Sequence, residues 1–169
     1  MQTNHSADGR RYPDGVSTAH GQGTYQVRFD WGGPGADAIL PDAHLLVWVD
    51  QLGDGQPISR HGVESMTATL ETAQDVAAFA LQRQTALGGR FVIAVVAAGA
   101  PRADGSLRFA VEDLLAAGAV IEALAAVGID HQSPEAAAAA SAYTGLKYAT
   151  RHLISASASS REARESSGA

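Results

Sequence analysis

Residues 91–98 read Phe-Val-Ile-Ala-Val-Val-Ala-Ala, an apolar run with no polar residue in it. A strand at a sheet surface alternates polar and apolar side chains. An unbroken run fits a strand covered on both faces, which is the habit of parallel sheets flanked by helices. At eight residues it falls far short of the ~18 needed to span a bilayer. A second run of this kind, Leu45-Leu46-Val47-Trp48-Val49, lies upstream. Two such runs in one chain constrain the fold to layers with a buried sheet between them.

The remaining segments fill in those layers. Tyr25 to Phe29 alternates as a half-buried strand does, and Val63 to Leu70 suits another short strand. Thr72 is placed to cap a helix from Ala73 to Leu87, which Gly88-Gly89 ends. Phe109 to Val127 carries Val111, Leu114, Leu115, Gly118, Ile121 and Leu124 on one face, and Gly128 stops it. Ser133-Pro134-Glu135 combines a capping Ser, Pro at the first helical position and an acid in the first turn. Segments 30–42, 51–62 and 99–105 read as loops. Strands alternating with helices predict an α/β domain, three-layered α/β/α, with a largely parallel or mixed sheet.

The predicted organisation is a single domain over residues 25–154. Residues 1–24 are polar, Gly-containing and without hydrophobic periodicity, so they read as a disordered extension. Residues 155–169 read as a Ser-rich, flexible tail. With 169 residues the chain is long enough to bury a core. The absence of Cys removes disulfides, thiol nucleophiles and Cys-ligated metals together. A net charge of −6 argues against a nucleic-acid surface. Arg10-Arg11 are not followed by an apolar stretch, so no signal peptide is expected. The expectation is a cytoplasmic protein with neither membrane nor nucleic-acid partners.

In open α/β sheets, ligands gather beyond the carboxyl ends of the strands. Asp30, Asp50 and Gly99 fall there in this reading. Asp50 directly follows an apolar strand, where a carboxylate can ligate a hard cation or attack phosphorus. It can equally be turn punctuation. Glu112-Asp113 open the long predicted helix. Their alternatives are cation ligation, or favourable contact with the helix dipole and an ion pair from Glu112 to Arg108. The Gly-rich stretch Asp30 to Asp37 lacks the Gly-Lys-Ser/Thr of a phosphate loop, and the six His have no zinc spacing.

Three stretches resemble the 2-phosphosulfolactate phosphatase family. The first is Val27-Arg28-Phe29-Asp30-Trp31-Gly32 with the Leu46-Val47-Trp48-Val49-Asp50 strand. The second and most specific runs from Phe91 to Leu124 and continues into Ser133-Pro134-Glu135-Ala136. The third, Ser157-Ala158-Ser159-Ser160-Arg161-Glu162, is similar to a family Cys-Ala-Ser-Gly-Arg-Glu segment, with Ser157 in place of the Cys. The resemblance implies a compact α/β/α fold and Mg²⁺-dependent hydrolysis of (R)-2-phospho-3-sulfolactate, or a similar small phosphorylated acid. It implies Asp50, Glu112 and Asp113 as catalytic and Mg²⁺-binding residues. Arg28, Asp30, Gly99, Ser157 and Arg161 become candidates to bind the anionic substrate. The chain also departs from the family. Gln51-Leu52-Gly53-Asp54-Gly55 lacks the hydroxyl expected after Asp50, and a middle section is missing between about Gly55 and Gly62. Ala100 stands where the family has Glu. That pattern admits a second reading, an inactive relative kept as a binding or oligomeric partner. A homo-oligomer would cover apolar surface left by the missing section. A third reading is an unrelated small-molecule binding module using the loops at 30–37 and 53–55.

Overall fold

The computed structural model describes residues 20–53, 58–60 and 62–168. Of the predicted disordered extension, residues 1–19 lie outside the described residues, as do positions 54 and 55 of the 51–62 loop. Residues 20–24, in contrast, form a turn that Gln22 pins to Phe29, donating to its carbonyl oxygen at 2.8 Å and accepting from its amide at 3.0 Å. The elements in chain order are β1 (Val27–Trp31), α1 (Gly32–Ile39), β2 (Leu45–Val49), β3 (Glu64–Ala68), α2 (Ala73–Leu87) and β4 (Ile93–Ala97). There follow β5 (Ala100–Pro101), β6 (Leu107–Arg108), α3 (Val111–Ala126), α4 (Pro134–Leu146), α5 (Thr150–Ala156) and α6 (Ala158–Ser167).

The main sheet has the order β1-β4-β2-β3 and all its pairings are parallel. The two apolar runs, β2 and β4, are its central strands, as expected of strands covered on both faces. One face carries Val27, Phe29, Val47, Val49, Ile93 and Val95 into a core shared with α2, α3 and α4. The opposite face carries Leu46, Ala94 and Val96 into a smaller core with Ala36 and Ile39 of α1. The architecture is therefore the predicted α/β sandwich of helices on a buried parallel sheet.

Helix α3 is buried along most of its length. Its Gly118 lets α4 approach closely: a Cβ there would stand 2.3 Å from the Ala139 carbonyl oxygen and 2.7 Å from Tyr143 Cβ. Ser133 caps α4, its Oγ accepting from the Ala136 amide at 3.0 Å, as its sequence signature predicts.

Two predicted irregular segments are helical. The predicted 30–42 loop begins as the end of β1 and continues as α1, held by Ala36 and Ile39 packing on the sheet. The predicted flexible tail is α6, continuing from α5. Ser157 caps α6 by accepting from the Ser160 amide at 3.2 Å, and Glu162 meets Arg108 at 3.0 Å. Residues 100–108 form a short antiparallel hairpin rather than a plain loop.

Candidate functional site

All strands of the main sheet point the same way, so their carboxyl ends form one edge. Asp50 and Gln51 leave β2 there, Ala98 and Gly99 leave β4, and the first turn of α3 lies against both. Asp113 makes that junction. Its Oδ1 accepts from the Gln51 amide at 2.9 Å and its Oδ2 from the Gly99 amide at 2.9 Å. One carboxylate thereby ties the loops after the two central strands to the start of α3. Gly99 takes a left-handed φ of 67°. A Cβ there would also press on Leu107 and on the Arg108 carbonyl oxygen, so glycine suits the position twice over.

Asp113 is 2% exposed. Burial raises its carboxyl from 3.8 to about 7, and the nearby charges of Asp50 and Glu112 push the same way. The two amide hydrogen bonds oppose the shift but do not cancel it. Asp50 curls over its own turn: a Cβ at Gly53 would lie 1.8 Å from Asp50 Oδ2, so a side chain there would displace the carboxylate. Glu112 is buried beside Asp113. Asp50 and Glu112 thus lie near enough to Asp113 for their charges to act on it.

Sequence reasoning missed Gln51. Besides its amide bond to Asp113, its Oε1 accepts from the Leu70 amide at 2.6 Å and its Nε2 donates to Glu71 at 3.1 Å. That donor holds Glu71 below the ordinary carboxylate range. Gln51 links the ends of β2 and β3, and nothing in a loop sequence marks a side-chain amide for that task.

The predicted anion-binding residues do not assemble here. Arg28 is 2% exposed. Its guanidinium donates to the carbonyl oxygens of Gly23 and Tyr25 ahead of β1, of Ile39 at the end of α1 and of Pro41 beyond it. It clamps α1 onto the sheet. Ser157 is buried as the α6 cap. Arg161 lies exposed in α6. The expected Glu112–Arg108 pair is also absent, because Arg108 bonds Ser159 and Glu162 instead. Asp30 lies at the end of β1, where its Oδ1 accepts from the Trp31 amide at 2.7 Å. Of the predicted substrate-binding set, only Gly99 lies at the acidic junction.

The Mg²⁺ implied by the resemblance requires oxygen ligands with room around the ion. Among the described residues, no three His, Asp or Glu side chains are placed to hold a metal ion together. Asp113 also gives both its oxygens to backbone amides. The acidic junction, as arranged, does not fit a chelated cation.

Among the described residues no helix is long and apolar enough to cross a membrane. No family model matches the chain, and no curated protein or solved structure matches it.

Proposed function

We propose that the chain is a phosphoric monoester hydrolase acting on (R)-2-phospho-3-sulfolactate or a similar small phosphorylated acid, as its sequence resemblance implies. The observation that carries this reading is the convergence of Asp50 and Glu112 on Asp113 at the carboxyl edge, with Asp113 poised near neutrality. Carboxyl edges of parallel sheets are where such folds take ligands, and groups that titrate near 7 are suited to moving protons.

In this mechanism water attacks phosphorus and the bond from phosphorus to the ester oxygen breaks. Asp50 takes the proton from the attacking water. Protonated Asp113 supplies the proton that the leaving alkoxide needs. The first turn of α3 favours the phosphate charge through its aligned amides. Because the acidic junction does not fit a chelated ion, no step passes through Mg²⁺.

The test is phosphate release from racemic 2-phosphosulfolactate by purified protein, with Mg²⁺ and with EDTA, beside Asp50→Asn and Glu112→Gln. The expected result is turnover that falls about a hundredfold or more in Asp50→Asn. Turnover unaffected by that substitution would refute the assignment of roles. A folded protein silent on this substrate and on a panel of phosphate esters would refute the hydrolase reading.

A second reading rests on the lack of a metal-holding group among the described residues: a catalytically inactive relative that binds the small acid, or a second copy of itself, without turning anything over. It predicts binding of the phosphorylated acid or self-association, with no phosphate released under any condition of the same assay.

A further inference from the structure

A cavity of about 420 Å³ opens where β1 ends. Leu114 of α3 lines it, one residue on from Asp113, which ties the loops after β2 and β4. The cavity wall includes Phe29, Trp31 and Phe109. Phe29 and Trp31 meet edge to face with ring centroids 5.8 Å apart, and Trp31 and Phe109 follow at 5.2 Å. The rings form one continuous surface running from the core outward. Phe29 at its inner end is 5% exposed, and Phe109 at its outer end is 55% exposed.

The charged character of this wall is one-sided. Glu135 contributes a carboxylate, His20 is the other titratable side chain at the wall, and no Lys or Arg among the described residues lines the cavity. The Asp30 carboxylate turns to the other face of β1, against Gly35 of α1. Aromatic faces are electron-rich, and they attract a cation placed over them, most strongly when water is excluded. The same rings and the Glu135 carboxylate repel a phosphate or sulfonate.

We propose that this cavity is a binding site for a small organic cation of the alkylammonium or quaternary ammonium class. The apolar part of the ligand packs on the three rings, and its positive charge is balanced by Glu135. The volume suits a ligand of this size. This site is independent of the hydrolase reading, since it shares none of Asp50, Glu112 or Asp113.

The experiment is titration of the full chain with choline and with 3,3-dimethylbutan-1-ol, its uncharged isostere, followed by calorimetry. Trp31→Leu and Glu135→Gln are titrated beside the wild type, with circular dichroism confirming their fold. The expected result is saturable choline binding, about tenfold weaker for the isostere, and a loss of about the same size in each variant. Glu135 is exposed at the start of α4, so Glu135→Gln tests the charge even if Trp31→Leu perturbs the strand end. Equal binding of choline and its isostere, unchanged affinity in Glu135→Gln, or no choline binding at all would each overturn the proposal.

Discussion

Replacing Asp113 by Asn isolates one buried charge and the work it does. The carboxyl titrates near its ordinary 3.8 in the unfolded chain and at about 7 in the folded one. Between those values the folded state holds a proton that the unfolded state has released. Stability from this group is therefore complete below pH 3.8 and is lost as pH rises through 7. Each pH unit in that window is worth about 1.4 kcal/mol, so the whole window amounts to roughly 4 kcal/mol. Asp113→Asn removes the titration. Its amide can accept from Gln51 or from Gly99, and its NH₂ then faces the other donor, at a cost of about 1–3 kcal/mol.

The two effects have different pH signatures. At pH 5, where wild-type Asp113 is protonated, the variant loses stability because of the mismatched donor. At pH 8 the wild type carries the buried charge, and the variant matches or exceeds it. Urea midpoints measured from pH 5 to 8 report the difference between the two proteins, in which the titration of other groups largely cancels. The expected difference closes by a few kcal/mol across the window, in favour of the variant as pH rises. A difference that stays constant with pH would refute the reasoning, because Asp113 would then be ionised throughout and simply hydrogen-bonded.

Three further substitutions test the frame around that junction. Gly118→Ala places a methyl group 2.3 Å from the Ala139 carbonyl oxygen and should cost about 1–3 kcal/mol in thermal denaturation as α3 and α4 are forced apart. An unchanged melting temperature would show that the helices separate without penalty. Arg28→Met leaves the carbonyls of Ile39 and Pro41 without their donor. It should cost about 3 kcal/mol or more in urea unfolding, where a ligand-binding Arg would leave stability nearly unchanged. Ser133→Ala removes the cap of α4 and should cost about 1 kcal/mol, measured the same way.

The sequence was most legible where one local signal sufficed. The apolar runs in β2 and β4 marked the sheet interior, and the Thr72 to Gly88 boundaries bracket α2 as found. It was least legible where tertiary packing overrides composition. Gly32-Gly33-Pro34-Gly35 reads as loop because glycine weakens a helix, yet α1 forms since Ala36 and Ile39 have a sheet face to bury. The Ser-rich tail has little apolar surface, and its helix relies on the Ser157 cap and on Arg108 reaching Glu162. Arg28 alternates with Val27 and Phe29, which predicts a side chain on the other face of β1. Alternation alone does not reveal that α1 covers that face, or that four backbone carbonyls wait there.

The acidic junction follows the same division. That Asp50 falls at the carboxyl edge was readable, because it directly follows an apolar strand; its link to Glu112 and Asp113 came only from the resemblance. What Asp113 does there was not readable, because its partners are backbone amides, which every residue carries. Those amides decide between a ligand and a brace. A carboxylate that offers both oxygens to loop N–H groups joins β2, β4 and α3, and is thereby drawn away from chelation. The proton it holds near neutrality then serves two ends. It spares the fold a buried charge below pH 7, and it leaves a transferable proton beside Asp50. If hydrolysis occurs, its alkaline limb and the pH dependence of folding must be set by the same carboxyl. Asp113→Asn should therefore remove both dependences together.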